Sequence, residues 1–145
     1  MKSAYSKRII VLFVGILLIA VYLYNCFIFF PIINNSTNIV IIKRVYDEKG
    51  NIYFDSKHLN SDEKSEFQIK LKNQYLFYLY QTDAYYGLPY LPITEYEIYF
   101  ENSNKSDKTI QLLENGSISS GYTIYYSFDS IKLFKLIDDF YSNLK

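Results

Sequence analysis

Apolar and polar positions follow two different rules along this chain. From Ile9 to Ile33 only Gly15, Asn25 and Pro31 interrupt an apolar run, and no position carries a charge. Beyond Asn34 the apolar positions recur every second, or every third to fourth, residue against a polar face. The first pattern predicts a helix that is apolar all round, and the second a folded domain with one core.

A helix over 9–30 extends roughly 33 Å at about 1.5 Å per residue, enough to cross a hydrocarbon core of about 30 Å. Pro31 ends or bends it before the polar run at 34–38. A cleaved leader has a shorter apolar core and small residues at the cut, whereas Tyr22-Leu23-Tyr24-Asn25 is bulky. Cys26 is preceded by Asn25, which does not suit a lipid-modification site. The expectation is a single-pass anchor at 9–33 that contacts the lipid bilayer, a cytoplasmic tail at 1–8, a linker at 34–38 and an extracytoplasmic domain at 39–145. Lys2, Lys7 and Arg8 precede the span without an acid, so the N-terminus stays inside the cytoplasmic membrane and the bulk lies outside.

In the outer part, Asn38–Tyr46 is β-branched and reads as a strand, and Asp47-Glu48-Lys49-Gly50 as a turn into a short strand over 51–55. Asn60 followed by Glu63 forms a capping-box start. Phe67, Leu71, Tyr75, Tyr78 and Leu79 then recur at helical spacing, which predicts a helix from Ser61 to about Gln74 and on to about Tyr80. The stretch over 84–93 holds the breakers of this region and reads as a loop. Tyr96, Ile98 and Phe100 alternate with Glu95, Glu97, Tyr99 and Glu101, the mark of a strand with one buried face. Asn115-Gly116 predicts a two-residue hairpin turn with both residues at positive φ, and Gly121 a bulge or break in the strands that follow. Leu133, Leu136, Ile137, Phe140, Tyr141 and Leu144 line one face of a closing helix, capped by Asp129 or Ser127. The expected fold is α+β: the transmembrane helix, then an antiparallel sheet with two helices packed on it, in the order β-β-α-β-β-β-α.

Composition narrows the chemistry. Fifteen basic and fifteen acidic residues leave no net charge, which excludes a strongly basic nucleic-acid binder. That neutrality is a sum across the membrane: three basic residues precede the span, and twelve basic and fifteen acidic residues follow it. One Cys and one His exclude an intrachain disulfide and a His- or Cys-rich metal cluster. The excess of Ile, Tyr, Lys, Asn and Phe matches AT-rich codons, so tyrosine abundance by itself carries no functional weight.

The sole histidine, His58, has Asp55 and Ser56 nearby, but no nucleophile elbow or glycine-rich oxyanion turn accompanies them. They read as turn and cap residues. Glu95, Glu97 and Glu101 share one strand face, and Asp138-Asp139 sit on a helix. Paired carboxylates serve glycoside hydrolysis or calcium binding, yet alternating Glu on a strand usually marks its solvent face. The expectation is a non-enzyme with no cofactor and no metal. Binding falls instead to the loop carrying Tyr85, Tyr86, Tyr90 and Leu91, stiffened by Pro89 and Pro92. Its tyrosines either meet a partner or pack as a lid on the sheet end.

An anchor followed by the Tyr96-Glu97-Ile98-Tyr99-Phe100 strand, the Asn115-Gly116 turn and a C-terminal helix resembles the small uncharacterised extracytoplasmic α+β domains of low-GC Gram-positive bacteria. The resemblance spans 39–145 and implies a surface location without assigning chemistry. The expected function is a binding or accessory domain for another envelope protein. An immunity or exclusion protein at the membrane surface is the alternative, and a cell-wall glycan binder or hydrolase the third.

Overall fold

The structure, a computed structural model, describes residues 9–20, 36–71, 74, 76–81, 90–102 and 107–144. Residues 9–20 are helical, with their large apolar side chains exposed. Among the described residues no helix is long and apolar enough to cross a membrane. The rest of the expected span lies outside the described residues.

The remainder is α+β. Seven strands form one antiparallel sheet: β1 (Asn38–Tyr46), β2 (Ile52–His58), β3 (Phe77–Gln81), β4 (Ile93–Glu101), β5 (Lys108–Leu113), β6 (Ile118–Ser120) and β7 (Thr123–Tyr126). Helix α1 (Ser61–Leu71) follows β2, and α2 (Ser130–Asn143) follows β7. The spatial order is β2-β1-β4-β5-β6-β7-β3, so β2 and β3 are the edges.

The capping box at Asn60 is present. Asn60 Oδ1 accepts from the backbone N–H of Asp62 and Glu63, while Glu63 Oε2 accepts from the Asn60 N–H. Asp129 caps α2 by accepting from the Lys132 N–H, which settles the choice between Asp129 and Ser127. Ser36 and Thr37, expected in the linker, are already held by the domain. Ser36 is buried and its C=O accepts from Lys64 Nζ, while the Thr37 N–H donates to the Glu101 C=O.

Both helices cover the same sheet face. Ile39, Ile41, Tyr96, Ile98, Phe100, Ile110, Leu112 and Ile118 meet Phe67 and Leu71 of α1 and Leu133, Ile137 and Phe140 of α2 in one cluster. The Phe67 and Phe140 rings lie 4.9 Å apart, and Tyr96 sits between Phe134 and Tyr141. Asp138, expected on the solvent side of α2, turns to the sheet and takes hydrogen bonds from Tyr96 Oη and Lys43 Nζ. These bonds hold its carboxyl below the ordinary carboxylate range, the Tyr96 bond contributing most. A depressed pKa in the folded state stabilises above the unfolded value near 4, and that stability is lost as pH falls through the folded value. Asp138→Asn is expected to cost about 1 kcal/mol at pH 7, half-exposure limiting the effect, and to flatten the acid side of the stability curve. Urea unfolding at pH 7 and pH 3 checks both.

Three expectations need correction. The helix from Ser61 stops at Leu71 rather than Tyr80, and Phe77–Gln81 forms β3, paired with β7. The aromatic-rich stretch favours extended backbone, and the otherwise open edge of β7 supplies hydrogen-bond partners that a longer helix would leave unused. Gly121 is a strand break rather than a bulge, and the break is a turn: with φ +56 it opens a two-residue reversal that pairs Ser120 with Thr123. Positive φ at the first central position fits a II′-type hairpin, and among the described residues no non-glycine residue has positive φ. The order is therefore β-β-α-β-β-β-β-β-α. The Asn115-Gly116 turn is also wider than expected. Gly116 alone has positive φ, its N–H reaches the Leu113 C=O, and Leu113 N–H reaches the Ser117 C=O, leaving a three-residue loop with a glycine bulge.

Candidate functional site

The uncovered sheet face and one end of it carry the features that packing does not absorb. Register places Arg44 beside Glu95 on β4 and Phe54 on β2, and Tyr46 beside Ile93 and Ile52. Each row shares one face, because directly paired residues point the same way. The rows end at the β1–β2 turn. At Asp47–Asn51, Asp47 Oδ1 accepts from the N–H of Lys49 and Asn51, Asn51 Nδ2 donates to Asp47 Oδ2, and Gly50 takes φ +81. These bonds, chiefly the Asn51 side-chain bond, hold the Asp47 carboxyl below its ordinary value.

On this face the expectation for the glutamates fails in one respect. Glu95 is only 6% exposed, not a solvent-face residue. It accepts from Tyr46 Oη at 2.9 Å and from Arg44 Nη1 at 3.3 Å, and Arg44 also pairs with Glu97. Burial, then the Glu95 hydrogen bond, raises the Tyr46 hydroxyl's pKa. The arginine thus spans two carboxylates and offsets part of their charge. Glu101, four residues beyond Glu97 on the same strand, is exposed.

His58 and Asp55 do not come together as an acid–base pair. They lie three residues apart in β2, so they point to opposite faces. Asp55 turns to the helix side and accepts from Tyr141 Oη at 2.7 Å. His58 lies exposed at the strand end. Among the described residues no group of three or more His, Cys, Asp or Glu is placed to hold a metal.

Of the loop residues expected to bind, Tyr85 and Tyr86 lie outside the described residues. Tyr90 is 81% exposed and Leu91 42% exposed. Tyr90 therefore does not pack as a lid. Leu91 Cδ1 approaches Gly50, where a Cβ would sit 3.8 Å away, so the loop's end reaches the β1–β2 turn. The residues missed by sequence reasoning follow that turn: Ile52 and Phe54, on the uncovered face, are 56% and 75% exposed, and Tyr53, on the opposite face, is 62% exposed. Three consecutive apolar residues without alternation were the available signal, because a strand with one buried face does not need them.

Tyr126, Phe128 and Ile131 form a second exposed apolar group near the start of α2, with the Tyr126 and Phe128 rings edge to face at 5.9 Å. A hollow of about 210 Å³ lined by Leu79, Leu113, Ser117, Ser119, Ile124 and Tyr125, with Ile118 behind, lies along the β5–β7 side. Its lining holds no charged group.

Comparison with known protein families, with curated proteins and with solved structures finds no match.

Proposed function

We propose that this chain is a single-pass, membrane-anchored binding domain of the bacterial envelope, N-terminus inside, whose outer α+β domain docks another envelope protein. The observation that carries the reading is the exposure of Ile52 and Phe54 on the uncovered sheet face, at the end where Leu91 reaches the β1–β2 turn and Tyr90 stands exposed beside it in sequence. Exposed apolar residues gathered at one place are a docking feature rather than ordinary surface. Their position favours a protein over the chain's own bilayer. The chain enters β1 at Asn38, and the cluster lies at the Tyr46 end, roughly 26 Å further along at about 3.3 Å per residue. The anchor itself is supported by the uncharged run at 9–33 and by the exposure of every large apolar side chain of the helix over 9–20. A helix that is apolar all round finds its solvent in lipid.

The test is a paired substitution in native membranes. Phe54→Ser with Tyr90→Ser is expected to leave stability within about 1 kcal/mol, since both side chains are exposed. The same change is expected to abolish the protein adduct formed by an amine-reactive crosslinker. An adduct of undiminished yield removes this cluster as the docking site.

A further inference from the structure

We propose that β2 is an acceptor strand: the partner adds an extended segment along its free edge, apolar beside Ile52 and Phe54 and polar beside Ser56 and His58. The inference rests on the docking reading above and specifies how docking occurs.

The backbone supplies the first argument. Leu59 N–H donates to the Ile39 C=O, and Asp47 N–H to the Asn51 C=O. These bonds fix the hydrogen-bonded pairs of the β1–β2 ladder at the odd-numbered residues of β2: Tyr53, Asp55 and Lys57. The main-chain groups of Ile52, Phe54, Ser56 and His58 therefore point away from β1, into the open edge. Ser56 N–H is taken up locally by Asp55 Oδ1. Among the described residues no group pairs with the outward N–H of Ile52, Phe54 or His58.

The second argument is what the edge lacks. Sheets protect free edges with charges, prolines, bulges or short strands. The edge strand β3 is five residues long and shifts register between Tyr78 and Tyr80, which blunts it. By contrast β2 runs seven residues in unbroken register with β1. Its two charged residues are drawn inward: Asp55 to Tyr141 Oη, and Lys57 Nζ to the C=O groups of Tyr141 and Leu144. What remains at the edge is apolar at one end and uncharged or weakly basic at the other, together with free ladder groups. That combination fits strand addition, in which main-chain bonds supply affinity and alternate side chains supply specificity.

Geometry also selects the occupant. Antiparallel pairing of β2 with the same strand of a second copy relates the copies by a twofold axis normal to the sheet. That operation sends the two Ser36 positions to opposite ends of the joined strands. With β1 running away from the membrane, as the docking reading has it, two chains anchored in one bilayer cannot both satisfy it. The fully overlapped register also sets Asp55 directly against Asp55, an unfavourable cross-strand pair. A segment of a different protein meets neither obstacle.

The experiment compares Phe54→Pro with Phe54→Leu in the full-length chain in native membranes. Both keep an apolar side chain. Only proline removes the outward N–H, and it spares the β1 ladder. The expected result is that Phe54→Leu retains most of the crosslinked protein adduct while Phe54→Pro lowers it at least tenfold, with a melting transition preserved. If Phe54→Pro fails to fold, His58→Pro against His58→Ala gives the same comparison at the strand end. Equal adduct yields from the Pro and non-Pro variants overturn strand addition and leave side-chain docking standing. A concentration-dependent dimer of the purified chain that Pro abolishes overturns the choice of occupant. Absence of any protein adduct from the unaltered chain overturns both this inference and the docking reading.

Discussion

Replacing Ile137 by Asp is expected to unfold the α+β domain, at a cost of about 4 kcal/mol or more. Ile137 is fully buried on the face of α2 that meets the sheet, in the same cluster as Ile98, Ile110 and Phe140. The substitution removes a branched apolar side chain and leaves a carboxylate with no solvent around it. The apolar side of that loss alone amounts to about 2–4 kcal/mol, and burying an unpaired charge adds to it. A small domain has about 5–15 kcal/mol in total, so most of its stability is consumed. Lys135→Asp, on the exposed side of the same helix, is expected to change stability by less than about 0.5 kcal/mol. Near-ultraviolet circular dichroism of the tyrosines in the detergent-solubilised full chain, followed through heating, separates the two. A cooperative transition in Ile137→Asp within a few degrees of the unaltered chain contradicts the core described above.

Arg44→Met is expected to be the next most damaging change, at about 2–3 kcal/mol. The side chain lies on the uncovered sheet face, where an arginine would ordinarily be replaceable. Here it stands between Glu97 and the buried carboxylate of Glu95. Without it, Glu95 keeps only the hydrogen bond from Tyr46 Oη and loses the cation that offsets its charge. The partial exposure of Arg44 places the loss below that of a fully buried pair. Arg44→Met combined with Glu95→Gln is expected to recover at least 1 kcal/mol of the single-variant loss, about the coupling energy of contacting groups. A urea double-mutant cycle measures it. Strict additivity would show that Glu95 and Arg44 do not act as a pair.

The parts of the fold that were legible in the sequence are those in which local physics and burial agree. Tyr96, Ile98 and Phe100 show the two-residue period of a strand and form the centre of the core. Asn60 and Glu63 announce a helix start through groups three residues apart, so no distant partner is needed to read it. Phe77–Gln81 was not legible, because a short aromatic run suits helix or strand equally well, and its pairing with β7 is set by tertiary context. Glu95 was misplaced for a related reason. Alternation identifies which residues share a face, but a long-range partner, Arg44, decides whether that face can bury a carboxylate. The site divided in the same way. Tyr90 and Leu91 stand out in sequence because of the flanking prolines. Ile52 and Phe54 join them on one face only when β1 carries β2 alongside the end of the loop. Which end of the sheet lies far from Asn38 is likewise a matter of strand direction, and no local pattern encodes it.

The central claim is that an anchored domain presents its apolar end to a protein rather than to lipid. A photoreactive phenylalanine analogue in place of Phe54, with a second chain carrying it at Thr37, tests this most directly in native membranes. The analogue at position 54 is expected to yield a protein adduct, and that at position 37, beside the tether, none of the same species. Capture of lipid at position 54 would contradict the account, because the apolar end would then rest on the bilayer.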